Sequence, residues 1–173
     1  IHDAAVNLAL YSEQFDNAAW TKSSVDVTAN QAIAPDGKQT ADKLIATQPF
    51  GVSVNRIYDV ISGGRTLSVY AKAAEADAIL IRTADGNSTL NYVVFDLTDG
   101  SGTATGTGHE SFASENVGNG WFRVSVTSNQ DFALIYLAVA GDNCANGNGI
   151  YLWGAQLEET DPATMAPTAY IHT

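Results

Sequence analysis

Five residues have side chains suited to sugar chemistry and sit in segments of alternating polarity: Tyr70, Lys72, Arg82, Tyr92 and Tyr136. Successive strand residues point to opposite faces. If Leu67, Val69, Phe95, Leu97, Ile135 and Leu137 face a core, these five lie on the opposite faces of their strands. A tyrosine ring offers a flat apolar plate for the C–H face of a pyranose, and Lys and Arg donate hydrogen bonds to its hydroxyls. The set holds three plates and two cations. Tyrosine also covers sheet faces with no ligand in view. Alternation does not say which strands share a sheet.

Catalytic chemistry has little to stand on. His2 and His172 are at the termini and His109 lies in a Gly/Thr-rich stretch, so none has a packed partner to hold a tautomer for base work. Glycoside hydrolysis needs two carboxylates across a cleft, whereas Asp36, Asp85, Asp99, Asp142 and Asp161 fall at turn signals. There is no zinc spacing or dinucleotide fingerprint, and Gly102 to Gly108 sits in Thr-rich alternation where a phosphate loop needs a strand opening into a helix. The expectation is a protein without catalytic machinery. The lone Cys144 cannot form an internal disulfide and reads as a thiol in a loose Gly/Asn-rich loop.

The elements that must carry these residues are strands. RTLSVYAKA, from Arg65 to Ala73, alternates cleanly, and Val25 to Ala29, Ala78 to Thr83, Leu90 to Leu97, Trp121 to Thr127 and Phe132 to Val139 follow with β-branched and aromatic residues. Turn residues punctuate them at Pro35-Asp36-Gly37, Ser62-Gly63-Gly64, Asp85-Gly86-Asn87, Asp99-Gly100 and Gly118-Asn119-Gly120. About ten strands without intervening helices predict an all-β, two-sheet antiparallel β-sandwich or jelly roll. Thr98 to Gly108 reads as an exposed edge strand between turns. The 173 residues, 45% of them apolar, suit a single domain over residues 1–173.

Charge narrows the partners. Eight Lys and Arg against 19 Asp and Glu give −11, which repels nucleic acid and anionic membrane at long range. A strongly acidic glycan would need a local basic patch, for which Arg56, Arg65, Arg82 and Arg123 are available. No apolar run approaches the ~18 residues of a membrane helix. The chain begins at Ile1 without a signal-peptide pattern and reads as a mature fragment or a domain excised from a longer polypeptide.

Four segments occur in a telling order: Asn7 to Trp20 (NLALYSEQFDNAAW), Pro35-Asp36-Gly37 followed by Thr40 to Leu44, Gly120 to Val124 (GWFRV), and Gly149 to Glu158 (GIYLWGAQLE). Together they resemble the jelly-roll, galactose-binding-like domains of phage virion and tail proteins and, more distantly, xylan- and glucan-binding carbohydrate-binding modules. The resemblance spans nearly the whole chain. It implies that the first and last strands lie side by side, and that Trp20 and Trp153 define the fold. With Trp121, they read as core or edge packing.

The resemblance also implies a structural calcium at the N-terminal turn. Asp16 and Asp36 match two carboxylate ligand positions, and each also has a turn-forming explanation. The acidic pair of the last strand is replaced by Trp153-Gly154, leaving Gln156 and Glu158 as the nearest oxygen donors. The function implied is non-catalytic polysaccharide or cell-surface glycan binding, on a secreted protein or a virion surface. Two alternatives are a virion decoration or tail-fibre domain working through protein contacts as a homo-oligomer, and a polysaccharide lyase or hydrolase.

Overall fold

The computed structural model describes residues 5–49, 52–61, 63–84, 91–129 and 132–173. In chain order its strands are β1 (Thr21–Ser23), β2 (Val25–Ala32), β3 (Ala41–Ala46), β4 (Ser53–Ile61), β5 (Arg65–Ala73), β6 (Ala78–Ala84), β7 (Tyr92–Asp96), β8 (Gly102–Thr105), β9 (Ser111–Gly118), β10 (Trp121–Ser128), β11 (Phe132–Ala140) and β12 (Gly149–Glu159). They form two six-stranded sheets, ordered β1-β4-β11-β6-β7-β8 and β2-β3-β12-β5-β10-β9. Neighbouring strands pair antiparallel, and no helix interrupts the described residues. The molecule is therefore an all-β, two-sheet antiparallel sandwich of the jelly-roll kind.

Alternation fixes what each strand buries. Ile79, Ile81, Val93, Phe95, Ile135 and Leu137 from the first sheet meet Leu44, Leu67, Val69, Val124, Val126, Ile150 and Leu157 from the second, all with no exposed surface. Apolar burial of roughly 25 cal/mol per Å² along these facing rows holds the layers together. Trp20, Trp121 and Trp153 are buried as expected. The β9–β10 hairpin turns through Gly118, Asn119 and Gly120, all at positive φ, which suits Gly and Asn. The Thr-rich segment supplies β8, an edge strand. The Asp85-Gly86-Asn87 turn, Leu90, Ser62 and His2 lie outside the described residues.

The start of the chain differs from expectation. Residues around Asn7 form no strand, and the first strand, β1, belongs to the sheet that lacks β12. The N-terminal segment still runs beside β12. Leu8 donates its N–H to the Leu157 carbonyl, and the Asn7 side chain accepts from Leu157 N–H and donates to the Ala155 carbonyl. One amide side chain thus takes over pairing that a strand backbone would supply. Cys144 also differs. It is half-buried against the core, its thiol aimed at the Val139 carbonyl, and burial raises its pKa.

Candidate functional site

The sheet order divides the five sugar-binding candidates between two opposite surfaces. Arg82, Tyr92 and Tyr136 lie on β6, β7 and β11 of the first sheet, whereas Tyr70 and Lys72 lie on β5 of the second. Adjacent in sequence, β5 and β6 belong to different sheets, so the five cannot share a platform.

The first-sheet trio is brought together. Tyr136 is directly opposite Arg82, and Tyr92 follows one step beyond the Ile81–Val93 pair on the other side of Arg82. All three are half-buried, while their strand neighbours Ile81, Val93, Ile135 and Leu137 face the core. Two tyrosine plates therefore flank a guanidinium across three neighbouring strands, spanning about 10 Å at ~4.8 Å per strand. The next row on this face is Ala138, Leu80, Val94 and Thr103, mostly small or apolar.

This face continues into a cleft of about 310 Å³ lined by Asp77, Ala78, Val94, Asp96, Ser101, Thr103, Gly141 and Asp142. Val94 is two residues from Tyr92 on the same side of β7, about 7 Å along the strand. Asp96 accepts from the N–H and hydroxyl of Thr98, and Asp77 accepts from the Asn143 amide. Fixed carboxylates at the rim can accept hydrogen bonds from sugar hydroxyls. The row and the cleft make one platform, apolar and aromatic at one end and acidic at the other.

The second-sheet face is covered by its own chain. Tyr70 makes edge contacts with Trp153 at 5.2 Å and Tyr170 at 6.1 Å between ring centroids, and the Arg123 guanidinium sits 5.3 Å from its ring centre. Tyr170 comes from the segment after β12. Its hydroxyl bonds to Ser12 and Glu13, and burial, the leading cause, pushes its pKa well above the ordinary tyrosine value. Glu158 is buried and holds the Thr168 N–H and hydroxyl. Trp121 donates its indole N–H to the Ile33 carbonyl under the loop that precedes β3. Lys72 is half-buried between Trp121 and Tyr151 in register. Tyr70 is a packing ring in this cluster, not an open plate.

The basic residues do not gather into one patch either. Arg82 is in the first sheet, as is the β4 position Arg56, while Arg65 and Arg123 are in the second. His109 is half-buried with Nε2 at 3.3 Å from the Thr105 carbonyl, a partner that the sequence did not disclose. A second cleft, about 430 Å³, lies where β5 begins and β10 and β12 end, with Glu110, Asn129, Glu159 and Met165 in its wall.

Calcium takes six to eight oxygens, and the proposed ligands do not supply such a set. Asp36 is exposed and bound to its own turn, accepting from Lys38 N–H with the Lys38 ammonium 3.7 Å away. Asp16 is exposed. Gln156 and Glu158 hold the C-terminal segment. Among the described residues no three His, Cys, Asp or Glu side chains converge to hold a metal. The carboxylate that does organise the turn is Asp42, 1% exposed, which accepts from Phe15 N–H at 2.8 Å and Asn30 N–H at 3.0 Å. Burial raises its pKa to about 6, against the lowering effect of those bonds. Beside it the Lys22 ammonium donates to the carbonyls of Asp16 and Asn17, each at 2.6 Å. Asp42 lies inside the Thr40 to Leu44 motif, where nothing in the sequence assigned it a role, and Lys22 lies in none of the four motifs.

No protein-family model matches the chain, and no curated protein matches its sequence. Solved structures do. The enzymatically active domain of tailspike protein 4 from bacteriophage CBA120 aligns at a TM-score of 0.49 and 19% identity, over 84% of this chain and 20% of that one. The chain thus spans about one fifth of the length of that solved tailspike domain. A β-1,3-glucan-binding CBM6 from Bacillus halodurans aligns at 0.46 and 14% identity, over 91% of this chain and 96% of that one. A CBM61 solved with β-1,4-galactotriose aligns at 0.47 and 12%, over 88% and 97%. These are the two kinds of protein that the sequence motifs resemble. The likeness is loose and one of fold, and it transfers no ligand or activity to this chain.

Proposed function

We propose that the chain is a non-catalytic carbohydrate-binding module, and that the outer face of the first sheet is its platform. The observation that carries this reading is the row Tyr136, Arg82, Tyr92: three stacking and donor side chains at one level on three adjacent strands. A glycan lying across the strands would place sugar rings on the two tyrosines, with Arg82 donating to the hydroxyls between them. The Asp77, Asp96 and Asp142 cleft would accept from hydroxyls further along. The few polar groups around an apolar floor match the general make-up of a ligand site. The role belongs where polysaccharide is met, on a secreted protein or a virion surface, and the charge of −11 favours neutral glycans over nucleic acid or anionic lipid.

Affinity electrophoresis against a panel of polysaccharides, followed by calorimetry on any that retards the protein, tests this. Aromatic contacts of about 0.5–1.5 kcal/mol correspond to a loss of roughly 2- to 13-fold on Tyr92→Ala or Tyr136→Ala. Tyr70→Ala should leave affinity within about twofold, because its ring is packed inside the molecule's own cluster. Affinity lost on Tyr70→Ala and kept in the other two variants would refute the placement. Retardation by no glycan would refute the function.

A structural role through chain-to-chain contact has one observation in its favour. Phe112 and Val117 are exposed on the edge strand β9. A stable oligomer in light scattering that Phe112→Ser disperses would support that role.

A further inference from the structure

We propose that the Lys22 ammonium is the built-in cation of the N-terminal turn, seated where the turn's carbonyl oxygens converge, so that the domain fastens its start without calcium. Hydrogen bonds from Gln14 N–H to Tyr11, Asn17 N–H to Gln14 and Trp20 N–H to Asn17 wind residues 11–20 into successive turns. Such turns leave carbonyls pointing one way, as at the end of a helix, where positive charge is favoured. The Asp16 and Asn17 carbonyls converge on Nζ of Lys22 at 2.6 Å each. Burial, the largest influence, lowers the Lys22 pKa, and the carboxylates of Asp16 and Asp42 pull it the other way in favour of the charged form. Carbonyls and carboxylates together are the ligand types that a hard cation takes.

The elements explain why a cation is wanted there. Lys22 belongs to β1 in the first sheet, and Asp42 to β3 in the second. Asp42 anchors the turn through Phe15 N–H, and Phe15 and Trp20 pack into the core with ring centroids 5.0 Å apart. The turn thus presents its carbonyls to one sheet and its N–H groups to the other. An ammonium reaching in from β1 satisfies the carbonyls and faces the carboxylates with a single charge. Calcium would bring two charges and demand several more oxygens, which Asp36, tied to its own turn, does not provide.

The test compares the intact chain with Lys22→Arg, Lys22→Gln and Lys22→Met by calorimetric melting in EDTA and in millimolar calcium, with calcium titrated into the wild type. The wild type is expected to melt within about 1 °C in the two buffers and to give no calcium-binding heat. Charge-assisted hydrogen bonds at this site should make Lys22→Gln and Lys22→Met melt about 3–10 °C lower, with Lys22→Arg keeping most of the loss at bay. Wild-type melting raised by calcium and reversed by EDTA would overturn the proposal even if no variant folds. So would a Lys22→Gln protein as stable as the wild type, since glutamine offers hydrogen bonds without the charge.

Discussion

Asp42 gives the domain a pH dependence of stability that can be worked out from its surroundings. The carboxyl is 1% exposed, and burial, the largest influence, raises its pKa to about 6, overriding the N–H groups of Asn30 and Phe15 that favour the ionised form. The unfolded value is near 3.9. Between these two values the folded protein binds more protons than the unfolded chain, so this group's contribution is fully present below about pH 4 and is lost as pH rises through about 6. A difference of about two pH units corresponds to about 3 kcal/mol at ~1.4 kcal/mol per unit. Other carboxylates titrate over the same range, so the measurement is a difference between wild type and Asp42→Asn in urea unfolding from pH 4 to 8. The asparagine oxygen keeps one of the two backbone bonds and its NH₂ confronts the other N–H, lowering stability throughout by about 1–3 kcal/mol. Wild-type stability relative to the variant should fall by about 3 kcal/mol across pH 4 to 7. A flat difference, or one that rises with pH, would refute the reasoning and place the ionised carboxylate in a stabilising environment.

Two further predictions concern the covered second-sheet face. Gly154 has φ +61° at the irregularity in β12, and a Cβ there would lie 3.1 Å from the Tyr70 ring and 3.2 Å from that of Tyr170. Gly154→Ala should therefore cost about 1–3 kcal/mol and lower the melting temperature by roughly 2–10 °C, and an unchanged calorimetric melt would show that both rings yield freely. Glu158→Ala removes the acceptor of the Thr168 N–H and hydroxyl and a partner of Gln156. Limited proteolysis should then cut residues 160–173 at least tenfold faster than in the wild type, and equal rates would mean that the remaining contacts, Tyr170 with Ser12 and Glu13 and Ile171 with Gln156 among them, hold the segment down without Glu158.

The fold was legible because its signals are local. Period-2 alternation in Arg65 to Ala73 and Trp121 to Ser128, and Gly-Asn-Gly between β9 and β10, depend only on neighbouring residues. Sheet membership is not local. Consecutive β5 and β6 cross from one layer to the other, and that crossing separated Tyr70 and Lys72 from Arg82, Tyr92 and Tyr136. The same limit hid Asp42, whose partners Phe15 and Asn30 come from distant segments, and Tyr170, whose segment follows β12 with no periodicity to mark where it docks. Asp16 and Asp36 matched ligand positions by motif, but neither motif shows that Lys38 engages the second or that Lys22 fills the carbonyls beside the first. Asn7 could be seen to begin a shared motif, while its work as a side-chain substitute for strand pairing required β12 beside it.

The most direct test of the proposed platform is an NMR titration of the isotope-labelled chain with an oligosaccharide of whichever polysaccharide retards it in affinity electrophoresis. The expected result is that the largest shift changes fall on Tyr92, Arg82, Tyr136 and Val94, spreading to Asp96 and Thr103 at the cleft. Largest changes at Tyr70, Trp153 and Tyr170, or at Glu110, Asn129 and Glu159 in the other cleft, would contradict it.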